Sequence, residues 1–225
     1  ALVDTDPVFT QIRHLTDPAR RENAAQHTAF FSFAENIGCG AAIPDDGFRW
    51  QPTRQPVVLD IWPVVPAPET GRFTTVMQWE SYTPREYQGR RFGLKSDSFK
   101  PYLDLPSRVG RLFEIAVGGR TGPRVLGELG WIVSDPLEVI PDPLGYQRFL
   151  QRSKAEFTVA KHGYGGSRSG WFSERSAAYR ASGRPVVAED TGFREHIPSA
   201  AGLLPFSSPD EAAGAVIDVI EHYDH

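Results

Sequence analysis

The chain of 225 residues has one cysteine, Cys39, which excludes an internal disulfide and a cysteine-ligated zinc site. Nothing around Cys39 marks a nucleophile, so it reads as a small residue of the interior. A run of about 18 apolar residues is absent, and Ala1–Asp6 lacks the charged-then-apolar layout of a signal peptide. No membrane span is therefore expected, and a cytoplasmic location is the default. Blocks of like charge are also missing. The net charge of -4 arises from 24 basic and 28 acidic residues spread along the chain, so a nucleic acid would find no basic stripe on which to dock. Lysine is scarce, occurring only at Lys95, Lys100, Lys154 and Lys161, and each can be weighed singly. The only Asp-x-Asp spacing considered for a metal, Asp4-Thr5-Asp6, lies far in sequence from the segment that carries the chemistry, and no metal site is expected.

What is present is a hydrophobic content of 40%, enough for a substantial core. Two short helical stretches, Phe9–Leu15 and Ala19–His27, open the chain without closing into a recognisable unit. Five prolines between Pro52 and Pro68 then punctuate it, and a linker is expected over residues 63–71. After Gly71 the pattern becomes regular. Phe73–Met77 reads as a strand, Asp104–Ala116 as a helix ended by Gly118-Gly119, Pro123–Leu129 as a helix, and Trp131–Val133 as a strand. A helix around Tyr146, Phe149 and Leu150, a strand at Glu156–Ala160, a helix at Trp171–Ser182 and a strand at Pro185–Ala188 continue the alternation. Ser208-Pro209-Asp210-Glu211 signs the start of a last helix with Ala212, Ala213, Val216, Ile217 and Ile220 on one face. Alternating strands and helices predict an α/β domain over residues 72–225, a Rossmann-like doubly wound parallel sheet.

In such a sheet ligands gather at the carboxyl ends of strands, beside helix N-termini. The glycine- and serine-rich stretch Lys161–Gly170 and the helix start after it, with Arg168 and Arg175, suit a phosphate-bearing ligand. Gly163, Gly165 and Glu189-Asp190 imitate a dinucleotide-binding unit, but Arg168 stands where its third glycine belongs, so an NAD-dependent oxidoreductase is the lesser alternative. A cation in the first turn of a helix is unfavourable toward the helix dipole, so Arg175 calls for a nearby anion, read here as a ligand.

The run Ser169–Ser176, followed by Ala181-Ser182-Gly183-Arg184-Pro185-Val186-Val187 and Asp190-Thr191-Gly192-Phe193, resembles the donor-binding segment of GT-B glycosyltransferases of the bacterial family-one type. The resemblance covers chiefly residues 155–206. It implies a hexosyltransferase that takes a nucleoside-diphosphate sugar such as a UDP-sugar as donor substrate, with no separate cofactor and an acceptor left open. It also implies roles: Gly170, Ser173, Glu174 and Arg175 at the diphosphate or sugar, joined by Arg168 and Ser169, and Asp190, Thr191 and Gly192 on the sugar side. Glu174 and Asp190 are the expected catalytic carboxylates, Lys95 a second phosphate clamp, and Trp131 and Val133 the base-binding pair. Two glutamates common in retaining members are replaced by Gly170 and Ala178, so the resemblance implies no stereochemical outcome. Residues 1–62 would then be the tail of an acceptor-side domain, and the chain part of a longer protein. A non-catalytic nucleotide-binding or interaction module is the other alternative, and the oligomeric state stays open.

Overall fold

The computed structural model describes residues 1–199 and 202–223. In the first 62 residues, strand β1 (Leu2–Asp4) leads through helices α1 (Phe9–Thr16) and α2 (Pro18–Ala25) to β2 (Phe30–Ser32) and, after a long loop, β3 (Trp50–Pro52). These three strands form a parallel sheet of their own, so the segment closes more completely than its sequence suggests. Asp4 organises its edge: its carboxylate accepts from the amide of Asp6, the side-chain amide of Gln11 and the hydroxyl of Ser32.

The second part begins with β4 (Phe73–Gln78), a hairpin of β5 (Arg85–Tyr87) and β6 (Arg90–Phe92), and the short helices α3 (Lys95–Ser98) and α4 (Leu105–Val109). It continues with β7 (Phe113–Gly118), α5 (Gly122–Glu128), β8 (Ile132–Ser134), α6 (Pro136–Val139), α7 (Pro143–Gln151) and β9 (Ala155–Thr158). Then come α8 (His162–Gly166), α9 (Glu174–Ala181), β10 (Val186–Glu189), β11 (Leu203–Phe206) and α10 (Pro209–Glu221). The main sheet has six parallel strands in the order β8-β7-β4-β9-β10-β11, the Rossmann-like order in which the chain winds outward from the middle in both directions.

Both faces of this sheet are covered, as its short apolar strands require. Phe73, Ile115, Val117, Phe157 and Val187 point to one side, where α4 and α10 close an aromatic core around Trp131. Ala116, Val186 and Ala188 point to the other, under Phe149 and Leu150 of α7 and Tyr179 of α9. Residues 63–71 contain no helix or strand, and buried Arg184 fixes part of them by donating to the carbonyls of Val65 and Pro66.

The helix expected over Asp104–Ala116 is half wrong. It stops at Gly110, whose φ of 97° breaks the helix, and Phe113-Glu114-Ile115-Ala116-Val117 is a strand beside β4. The helical spacing of Val109, Leu112 and Phe113 was accidental; a strand buried on both faces has no period of its own. The final helix is capped by Ser208 as expected, but it buries Val219 while Ile217 and Ile220 remain exposed. Cys39 is exposed rather than interior. No helix among the described residues is long and apolar enough to cross a membrane.

The two parts meet over a small core of Val8, Phe9 and Ile12 from α1 and its approach, Phe92 at the end of the hairpin and Leu94 after it, and Ala160 and Tyr164 after β9. Gly163 lets them close, because a Cβ there would stand 2.7 Å from the Phe9 ring. Gly163→Ala is therefore expected to lower stability by about 1–3 kcal/mol. In a Phe9→Leu background most of that loss should vanish, as thermal unfolding of the two single variants and the double variant would show.

Candidate functional site

Strands β4 and β9 are neighbours at the topological switch point, yet they pair only at Phe73↔Ala155 and Thr74↔Glu156. Beyond that register the strands part toward their carboxyl ends, the place where an open α/β sheet accepts a ligand. The guanidinium of Arg175 fills the base of the gap. Its Nη1 donates to the carbonyl of Val76 on β4 at 2.8 Å, its Nη2 to Thr158 Oγ1 on β9 at 2.7 Å, and its Nε to Glu156 Oε1 at 2.6 Å. Glu156 is fully buried and the Arg175 side chain is 11% exposed. The anion sought for Arg175 outside the chain is thus inside it: Glu156 answers the cation and holds it charged well above its ordinary range.

Above this pair begins α9. Ser173 is its N-cap, accepting the amide of Arg175, and Glu174 follows as an exposed first-turn carboxylate. Lys95, the first residue of α3, shares the electrostatic neighbourhood of Arg175, Glu156, Lys161 and Glu174. Its side chain is 8% exposed, and among the described residues it has neither a hydrogen-bond acceptor nor an ion-pair partner. Burial, reinforced by the charge of Arg175, lowers its pKa to about 7. Lys161, by contrast, is satisfied: it bonds Asp6 at 2.9 Å and sits over the rings of Tyr82, Tyr164 and Phe9.

The remaining expected residues fall in three places. Val133 lines a cavity of about 470 Å³ at the carboxyl ends of β7 and β8, with Gln78, Gly119, Ser134 and Leu137. Trp131 does not reach it; the indole is in the core and donates to the carbonyl of Leu103. Arg168, Ser169, Gly170, Thr191 and Gly192 gather around Asn36 of the first part. The Asn36 side-chain amide donates to the carbonyls of Arg168 and Gly192, its backbone amide to that of Ser169, and its carbonyl oxygen faces His196 Nε2 at 2.5 Å. Gly170 and Gly192, both with positive φ, are tight against residues 35–36, Thr191 donates its hydroxyl to the carbonyl of Trp171, and Arg168 pairs with Glu195. Asp190 is held by Arg194 and by the amide of Gly192. The glycine-rich loop itself is partly wound into α8, with Gly163 committed to Phe9.

No family model matches the chain, and no curated protein matches it. The site is therefore judged on its chemistry. It brings together Lys95, Ser173, Glu174 and Arg175 at the switch point and sets Val133 apart in a neighbouring cavity. Among the described residues no group of three or more His, Cys, Asp or Glu is placed to hold a metal. Glu189, not among the residues expected, ends β10 with one carboxylate oxygen on the amide of Ala160 at 2.9 Å, and burial raises its pKa to about 7. Only the acidic pair Glu189-Asp190 hinted at it, since burial is invisible in sequence.

Arg175→Ala should destabilise the fold by about 3–5 kcal/mol, because it strands the buried Glu156 charge. Adding Glu156→Gln should recover much of the loss, as denaturant unfolding would register. Lys95→Met should do the reverse and raise the midpoint of thermal unfolding by roughly 3–6 °C at neutral pH, since it removes a buried amine whose protonated form burial and Arg175 disfavour. The sign with pH follows from the lowered value. In the unfolded chain the amine keeps its proton to about pH 10, while the folded chain releases it near 7, so raising pH between these limits favours folding. The advantage of Lys95→Met over the native chain should therefore be full below pH 7 and shrink toward pH 10.

Proposed function

We propose that the chain is the nucleotide-sugar-binding part of a GT-B glycosyltransferase, transferring a hexose from a nucleoside-diphosphate donor to an acceptor. The observation that carries this reading is Lys95, a buried amine with no ion-pair partner among the described residues, poised at the switch point of a Rossmann-like sheet beside the start of α9. Burial and the nearby charge of Arg175 impose a penalty on its protonated form. A diphosphate would relieve it, and the amides at a helix start would share the load.

The cavity beside Val133 gives the base a place at the ends of the adjoining strands, with an apolar floor of Val117 and Val133 and polar groups at Gln78 and Ser134. In this arrangement Arg175 is a positioning residue: it ties α9 to both parted strands and aims the helix start at the diphosphate. Glu174 and the Asp190-Thr191-Gly192 loop would face the sugar, and Lys95 with the helix amides would stabilise the departing diphosphate without a metal in that role. Residues 1–62 would belong to the acceptor side.

Calorimetric titration with UDP, GDP and NAD tests the reading. One of the nucleoside diphosphates should bind, NAD should not, and Lys95→Met should weaken binding at least tenfold while leaving the protein folded. Absence of binding by both UDP and GDP would sink the proposal.

A further inference from the structure

We propose that Glu189 is the proton acceptor for a hydroxyl-bearing second substrate, seated in the cavity between α3 and the carboxyl ends of β9 and β10. The cavity measures about 340 Å³, room for one sugar ring, and presents the side chains of Ser98, Tyr102, His162 and Ser207 beside Glu189. Hydroxyl and imidazole groups of this kind suit an alcohol or polyol. The identity of the first substrate rests on the glycosyltransferase reading above.

Three carboxylates line the cavity, and two are engaged. Asp97 is paired with Arg91 and Lys100, and Asp190 with Arg194. Glu189 alone of the three has no ion pair among the described residues. Its Oε2 is pinned by the Ala160 amide, which leaves Oε1 as the reactive oxygen. Gly165 lies beside Oε1, where even a Cβ would come only to ordinary contact at 3.9 Å. The charged and titratable groups around the carboxyl are Lys95 and Asp97 on α3, Tyr102 between α3 and α4, His162 on α8 and Asp190 at the end of its own strand. Burial pushes Glu189 up, Asp190 adds to the rise and Lys95 restrains it, so the carboxylate is basic enough to take a proton near neutral pH.

The step balances as a single displacement. The acceptor O–H bond breaks and its proton passes to Glu189 Oε1. The freed oxygen pair forms the bond to the anomeric carbon, and the anomeric C–O bond breaks with its electrons leaving on the donor diphosphate.

Turnover of a panel of UDP- and GDP-linked hexoses, with water or a supplied polyol as the accepting hydroxyl, tests this over pH values from about 5 to 9. The native chain should show kcat rising through an inflection near pH 7, set by Glu189. Glu189→Gln should lower kcat at least about 100-fold and abolish that inflection, with nucleoside-diphosphate affinity unchanged within about twofold. Glu189→Asp should restore part of kcat. A Glu189→Gln protein that binds the diphosphate and keeps kcat within about threefold overturns the assignment, as does a native chain that binds the diphosphate yet turns over no donor. Failure to bind either diphosphate refutes the glycosyltransferase reading instead, and is seen separately in the titration.

Discussion

The ion pair between Arg175 and Glu156 sets the geometry on which the rest of the site depends. A parallel sheet that winds outward in both directions must open somewhere along its middle, and here the opening lies between β4 and β9. Backbone groups exposed by the opening need partners, and a guanidinium with its fixed fork of donors supplies them to a carbonyl on one strand and a hydroxyl on the other. The carboxylate of Glu156 makes it tolerable to bury that charge. Because Arg175 also belongs to the first turn of α9, the same contact fixes where the helix begins and where its amides point.

This arrangement divides electrostatic labour between two cations that look alike in sequence. Arg175 is ion-paired within the fold, whereas Lys95 has no ion-pair partner among the described residues. Both lie in the same neighbourhood, so an anion placed there would meet one cation already paired and one amine that is not. Glu189 belongs to that neighbourhood as well: burial raises its pKa, and Lys95 restrains the rise.

Much of the sheet was legible from the sequence because its strands are short apolar runs bounded by glycine and proline, such as Val186–Ala188 after Gly183 and Pro185. The central strand Phe113–Val117 was not, since uniform burial erases the alternation that marks a strand and chance spacing imitated a helix. The hairpin before Lys95 carried too few apolar residues to stand out, and Pro205 interrupts the apolar run of β11. At the site, residue types were legible and partnerships were not. Arg175 was singled out for a real electrostatic reason, a cation at a helix start, but the compensating charge lay 19 residues away on a buried strand. Gly163 and Gly170 were read as part of a phosphate-binding stretch and Gly192 as part of a sugar-side loop, and what their sequence did not show is that their lack of side chains serves close packing against Phe9 and Asn36.

Asn36 gives the two parts of the molecule a shared hinge pin, since one side chain and its backbone amide engage Arg168, Ser169 and Gly192 at once. Those loops cannot shift without shifting the segment that carries Asn36. Cys39 lies three residues farther along that same segment, exposed, its amide bonded to the carbonyl of Asn36. A thiol-reactive fluorophore would therefore attach at one point only, and its emission would report movement of the loops from a position that none of their own residues needs to surrender.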